Sequence, residues 1–289
     1  MIAIDLGSNT IRFIEFDGQN WGKSFEKIVR TAENIGNTQR IGDQAIERIV
    51  AAIDEARTHI DLTQPVRAYT TAAMRFANNS AEVLQRIYER SGVSFEIIDA
   101  QKEAMLTLDA VRYRMEQIGN IPPLFLLADI GGGSTELTRC EGKNIETVSL
   151  NFGIVTMSEE TQHSMDEKIA VFKSNIEKHS AGDSLSLVLT AGTPTTIAAY
   201  LNGMDYEHYD PRKINGYRLK LSDCYRVYDD LLQMDESIRI RYVGIGRENL
   251  IMAGILMVTA IYEAIGTDEA IIIDDGLREG IALEYYKMS

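Results

Sequence analysis

Ligands for soft metals and for disulfides are scarce in this chain. Its 289 residues include two cysteines, Cys140 and Cys224, and four histidines, His59, His163, His179 and His208. Neither set has the close spacing of a zinc site, and two distant cysteines make no disulfide framework. The compartment this predicts is a reducing cytoplasm. Positive charge is also short. Twenty-nine Lys and Arg face 43 Asp and Glu, a net charge of −14 at pH 7, which argues against nucleic acid or an anionic membrane surface as partner. Long apolar runs are missing too. The longest, LIMAGILMVTAIY at 250–262, is too short for a membrane span and suits a buried helix. The chain opens MIAIDLGS, which reads at once as a strand, with neither a basic n-region nor a signal-peptide cleavage site.

What is present fits a globular protein of two domains. The hydrophobic share is 45% and the charged share 25%, both ordinary for a packed protein, and the length is comfortable for two cores. Charge is unevenly placed. Residues 1–122 hold 14 Lys and Arg against 17 Asp and Glu, and the rest hold 15 against 26. An anionic ligand would find the better host in the first half, although acidity also simply aids solubility.

An internal repeat organises the chain. At an offset of 124 residues, Asp5 falls on Asp129, Leu6 on Ile130, Gly7 on Gly131, Thr10 on Ser134, Phe13 on Leu137, Gly18 on Gly142 and Asn20 on Asn144. Both copies spell an apolar strand, an Asp, a Gly-rich turn, a second strand, and a short turn, DGQN or EGKN, into a third. No shorter period recurs, so a duplicated domain is indicated rather than a solenoid.

Helical periodicity follows each hairpin. Ile46, Ile49, Val50 and Ile53 line one face of 43–60, 65–75 reads as a strand running into a helix, and helices are predicted at 80–92 and 101–119 with a short strand at 95–100 between them. The second half predicts helical structure near 156–179, a strand at 185–193, a helix at 194–201, helices near 222–234 and 246–265, a strand at 269–274 and a last helix. The expected class is α/β: two similar domains, 1–122 and 123–289, parted at Pro122–Pro123, with the last helix free to pack back on the first.

A strand ending in glycine-rich turn chemistry exposes backbone N–H groups with no side chain in the way, as phosphate oxygens require. One such turn alone reads as a tight hairpin with Asp as turn former. Two matching turns, Gly7-Ser8-Asn9-Thr10 and Gly131-Gly132-Gly133-Ser134, predict a phosphate cleft between facing domains, with Asp5 and Asp129 at the strand ends as holders of Mg²⁺.

The duplicated D-x-G-x-x-[ST] hairpin resembles that of the actin-like ATPase superfamily. Within it, DLGSNTIR (5–12), TTAAMRFANN (70–79), KEA (102–104), DIGGGSTEL (129–137), AGTPTTIAA (191–199) and DDGLREG (274–280) are similar to the exopolyphosphatase and guanosine pentaphosphate phosphohydrolase (Ppx/GppA) family, in its short two-domain form. The resemblance implies two ribonuclease H-like domains around an interdomain cleft. It implies hydrolysis of polyphosphate or of guanosine pentaphosphate with Mg²⁺, without nucleic acid or membrane as partner; guanosine tetraphosphate is a further implied ligand, and a homodimer is left open.

Carried over by position, the catalytic base is Glu103, in the first turn of a helix whose buried stripe is Ala104, Leu108, Val111 and Met115. Arg12 and Arg75 become phosphate ligands. Glu136, which the repeat sets on Arg12, joins Asp129 and Asp5 as a metal-site residue. The pattern departs at Lys102, often a second Glu, at Asp99-Ala100-Gln101, at Thr156, where Arg is common, and at Asn249, where Asp is common. Two rival activities stay open: a nucleotide or (p)ppGpp sensor with little turnover, and an ATP-dependent small-molecule kinase.

Overall fold

The computed structural model describes residues 1–160, 162–180 and 185–288. Contacts divide it into two units, one of residues 1–110 with those from Leu277 onward, the other Val111–Gly276.

The first unit begins with a hairpin of three strands, β1 (Ile2–Leu6), β2 (Thr10–Phe16) and β3 (Trp21–Ile28). A single helical turn, α1 (Ile35–Thr38), and helix α2 (Asp43–Ala56) lead to β4 (Val66–Thr70), α3 (Ala72–Phe76), α4 (Ser80–Ser91), the two-residue β5 (Glu96–Ile97) and α5 (Ala100–Gln117). The sheet runs β3-β2-β1-β4-β5, antiparallel through the hairpin and parallel from β1 onward. The predicted stripe of α2 is its buried face: Ile46, Ile49, Val50 and Ile53 are all inaccessible or nearly so, each burial contributing about 1.5–3 kcal/mol. Gly92 takes the left-handed conformation that ends α4, at φ 69°.

The second unit opens with the second hairpin, β6 (Leu124–Ile130), β7 (Thr135–Glu141) and β8 (Asn144–Leu150). Then come α6 (Ile154–Ser158), α7 (Gln162–His179), β9 (Ser186–Thr190), α8 (Gly192–Leu201), the one-turn α9 (Pro211–Ile214), β10 (Tyr217–Lys220), α10 (Leu221–Gln233), α11 (Glu236–Val243), α12 (Leu250–Ile265) and β11 (Glu269–Ile272). The order is β10-β11-β9-β6-β7-β8. β6 lies between β9 and β7, covered on both faces, which is why it reads as an unbroken apolar run. Helix α12 is buried along most of its length; among the described residues no helix is long and apolar enough to cross a membrane.

Differences from the sequence expectations have local causes. The helical stretch near 156–179 is two helices, α6 and α7. The helix expected from 246 starts at Leu250, because Gly244 and Gly246 hold φ of 87° and 81° and separate it from α11. Strand β10, an edge strand of four residues, was not anticipated. The units part inside α5, between Ala110 and Val111; Pro122 and Pro123 lie in the loop that leads to β6. The last helix, α13 (Leu277–Lys287), belongs to the first unit and packs on β1, β2 and β4. Its approach to α5 depends on Gly280, where a Cβ would stand 2.1 Å from the Leu106 carbonyl oxygen.

Candidate active site

Both glycine turns close in the same way. The Gly7 N–H donates to the Thr10 carbonyl at 3.0 Å and the Gly131 N–H to the Ser134 carbonyl at 2.9 Å. The segment after each third strand then ties down two more of the turn's carbonyls. In the first unit, Val29 and Arg30 donate to the Asn9 carbonyl at 2.8 and 2.9 Å, and Ala32 to that of Ser8 at 2.8 Å. In the second, Ile154 donates to the Gly131 carbonyl at 3.0 Å and Val155 to that of Gly132 at 2.9 Å. Among the described residues, the N–H groups of Ser8, Asn9, Gly132 and Gly133 donate to no protein acceptor. Each turn therefore presents free amides while two of its carbonyls are held by the segment behind it, an arrangement that suits an anion.

None of Gly7, Gly131, Gly132 and Gly133 has positive φ, so turn conformation does not explain the triple glycine. Close approach does, however, require glycine at 153, which lies against that turn. A Cβ on Gly153 would lie 2.3 Å from the Gly132 carbonyl oxygen and 2.4 Å from Gly133 backbone carbon. Two stretches of backbone meet there with no room for a side chain. Thr156, at the position where Arg is common, turns back instead, its hydroxyl donating to the Gly153 carbonyl at 2.9 Å.

Strand pairing sets a row of side chains just before each turn. In the first unit Tyr69, Asp5, Arg12 and Glu26 are register partners across β4, β1, β2 and β3. In the second, Thr190, Asp129, Glu136 and Ser149 are register partners across β9, β6, β7 and β8. Directly opposed residues share a face of the sheet. Arg12 Nη1 is 4.0 Å from Asp5 Oδ2 and its Nε 3.9 Å from Glu26 Oε2. Glu136 is buried, and its Oε1 accepts from the hydroxyls of Ser134 and Ser149, both at 2.8 Å. Position 12 of the first copy thus carries a cation, and its counterpart in the second an oriented carboxylate.

Glu103 lies in the first turn of α5, where the Asp99 carboxylate caps the helix by accepting the Lys102 N–H at 2.7 Å. The Glu103 carboxylate is buried and accepts from Arg75 Nη1 at 2.7 Å. The same nitrogen donates to the Ile98 carbonyl at 2.9 Å. The structure therefore brings Arg75 and Glu103 together, a pairing the sequence did not reveal.

Lys102 has its own partners. Its Nζ donates to the Tyr69 hydroxyl at 2.9 Å and lies 3.5 and 3.7 Å from carboxylate oxygens of Glu96 and Glu284. Tyr69 also accepts from Arg67 at 3.0 Å and donates to Glu284 at 2.7 Å. Burial works against the Lys102 ammonium, but the Tyr69 hydroxyl and the two carboxylates outweigh it and hold its pKa above the ordinary lysine value. Much of its charge is thus compensated within the protein.

Among the described residues no group of three or more His, Cys, Asp or Glu side chains is placed to hold a metal ion. A closed protein cage is not what Mg²⁺ asks for. It commonly takes one or two carboxylates and fills its octahedron with water and substrate phosphate. Asp129 and Glu136, hard oxygen donors side by side on one face, fit that requirement in the second unit. Asp5 is the weaker candidate, because its cross-strand neighbour is Arg12.

Sequence reasoning missed Tyr69, Asp99, Ser149 and Glu284. Ser149 could have been found, since the EGKN turn at 141–144 fixes the register that sets it opposite Glu136. Tyr69 and Glu284 could not, because parallel pairing and helix docking leave no local signal.

Residues 23–288 match the profile of the Ppx/GppA phosphatase family. Among curated proteins, the chain is 26% identical over 315 residues to Exopolyphosphatase 2 of Mycobacterium tuberculosis, with 97% of each chain covered. It is 25% identical over 311 residues to the bifunctional 3-dehydroquinate synthase/phosphatase of Fusobacterium nucleatum, covering 98% of this chain but 46% of that protein, so it spans less than half of that relative. Among solved structures, the Aquifex aeolicus Ppx/GppA family member aligns with a TM-score of 0.78 at 27% identity, over 99% of this chain and 97% of that one. Two duplicated units, each a hairpin sheet extended by parallel strands, are the actin-like ATPase fold, and the chain belongs to the Ppx/GppA phosphatase family.

Proposed function

We propose that this protein hydrolyses phosphoanhydrides, releasing the terminal phosphate of inorganic polyphosphate or the 5′-γ-phosphate of guanosine pentaphosphate. The observation that carries the reading is the buried Glu103 carboxylate, held by a guanidinium in a chain whose two turns present unused amides. A base that accepts a proton from water must be ionised and fixed in direction, and Arg75 supports both.

In the proposed reaction a water oxygen attacks the terminal phosphorus and gives its proton to Glu103. The anhydride P–O bond breaks, and its electron pair leaves on the bridging oxygen of the departing phosphate chain. In the first unit the amides of Ser8 and Asn9, with the Arg12 guanidinium, can take up charge on phosphate oxygens, and in the second the amides of Gly132 and Gly133 can do the same. Little covalent chemistry is asked of the protein, so positioning and electrostatics carry the rate. Asp129 and Glu136 would hold Mg²⁺, which when bound supplies neutralisation of phosphate charge. Those amides and Arg12 also answer the overall charge of −14, because short-range donors act where long-range repulsion is screened.

The test is phosphate release from long-chain polyphosphate and from guanosine pentaphosphate, side by side, with and without Mg²⁺. Mg²⁺-dependent release from either supports the reading. Tight nucleotide binding without release would replace it with a sensor, and ADP formation that depends on a second substrate would replace it with a kinase.

A further inference from the structure

Arg75 enters the sequence reading as a ligand for substrate phosphate, but its contacts give it a different principal task. It lies near the end of α3, and its Nη1 spends both hydrogens inside the protein, one on Glu103 Oε2 at 2.7 Å and one on the Ile98 carbonyl at 2.9 Å. The second acceptor is itself fixed to the sheet: the Ile98 N–H donates to the carbonyl of Thr70, the last residue of β4, at 3.0 Å. The guanidinium is therefore held by sheet-anchored backbone on one side and holds the carboxylate on the other. Side-chain exposures of 18% for Arg75 and 11% for Glu103 put the pair in a setting where removing one partner leaves the other charge largely desolvated.

We infer that Arg75 is the positioning residue for Glu103: it fixes the direction in which the carboxylate faces the attacking water, and it acts on the reaction through Glu103. A glutamate has three side-chain torsions, and a base misplaced by about 1 Å costs about 10²-fold in rate. Among the described residues Arg75 Nη2 and Nε donate to no protein acceptor, so the same guanidinium can also meet a phosphate oxygen. That contact is secondary and predicts a smaller effect on KM than on kcat. The inference rests on the hydrolase reading.

A kinetic double-mutant cycle tests it, using Arg75→Gln, Glu103→Gln and the double variant with polyphosphate and guanosine pentaphosphate. Arg75→Gln is expected to lower kcat by about 10²-fold and to raise KM by less than about tenfold, a single bidentate phosphate contact at most. The double variant is expected to be no slower than Glu103→Gln alone, because residues acting as one unit are not additive. Arg75→Lys, which keeps the charge but lacks the planar fork, should recover KM more fully than kcat. Urea midpoints of all variants show that each is folded, and the two single effects on the midpoint should be sub-additive. A change confined to KM, or kinetic effects that multiply in the double variant, would overturn the inference. Absence of turnover in the wild-type protein with both substrates would instead strike the hydrolase reading, and the midpoints alone would then decide whether the pair is coupled.

Discussion

Arg12 and Glu136 hold the same place in two copies of one hairpin, each directly across from the aspartate one residue before the end of the preceding strand, Asp5 or Asp129. The turns and the aspartates match between copies; the charge beside them is reversed. In the first unit the row reads carboxylate, guanidinium, carboxylate through Asp5, Arg12 and Glu26. In the second, two carboxylates adjoin, and one of them accepts from two serine hydroxyls. The first row suits a phosphate, the second a divalent cation.

This asymmetry separates two otherwise equivalent substitutions. Asp129→Asn should raise the Mg²⁺ concentration for half-maximal activity about tenfold or more, a loss of about 1.4 kcal/mol in metal affinity. Asp5→Asn should move that midpoint far less. Mg²⁺ titrations of phosphate release decide it, and equal shifts would refute the division of labour.

Glu103→Gln keeps the shape of the side chain and removes the basic oxygen. It should lower kcat by about 10²–10⁴-fold, the usual range for loss of a general base, with little change in KM. Steady-state kinetics at saturating Mg²⁺ measure this, and near-normal turnover would take the base away from Glu103.

Arg12→Ala should raise KM and flatten its dependence on salt, because one cation fewer is screened at the site. Arg212 is the control. Its side chain is 88% exposed and forks onto Asp210 with two bonds of 2.9 Å, away from both turns in sequence. Comparing KM at low and high salt for Arg12→Ala and Arg212→Ala gives the answer; similar losses would mean the phosphate path runs elsewhere.

The two thiols predict a pH effect on stability. Burial pushes the Cys224 pKa up to about 12, with Asp223 adding to the rise, and burial likewise raises that of Cys140. In the unfolded chain a thiol ionises near its ordinary value, about 8.5. Stability is then complete below about pH 8.5 and falls as pH rises toward the folded value, because only the unfolded state releases the proton. The urea midpoint should decline above about pH 9 more steeply in the native sequence than in Cys224→Ser. The native thiols should also resist a disulfide reagent at pH 8, and rapid modification of Cys224 would contradict its burial.

The sequence spoke clearly wherever the signal was local. The hairpins β1–β3 and β6–β8 were legible because Asp, Gly and the DGQN and EGKN turns fix strand ends and register together. The stripe of α2 was legible because four large aliphatic residues keep helical spacing. β10 was not, since an edge strand of four residues carries too little pattern to distinguish. The division inside α5 was hidden because one helix supplies residues to both units, and no break marks the place. At the site, Glu103 and Arg75 were each singled out only by the family resemblance, and their pairing depends on how α3 and the N-terminus of α5 meet beyond β4, which only three dimensions supply.

The docking of α13 sets an order of assembly during synthesis. Leu277, Ile281, Ala282 and Leu283 are buried, and Gly280 lets the helix press on α5 one turn beyond Glu103. Yet α13 leaves the ribosome only after every residue of the second unit. A nascent chain ending before Leu277 holds all the strands of both sheets, but β1, β2 and β4 still lack the helix that covers them. The unit translated first is therefore completed last, and until then its uncovered sheet is the surface that a chaperone would have reason to hold.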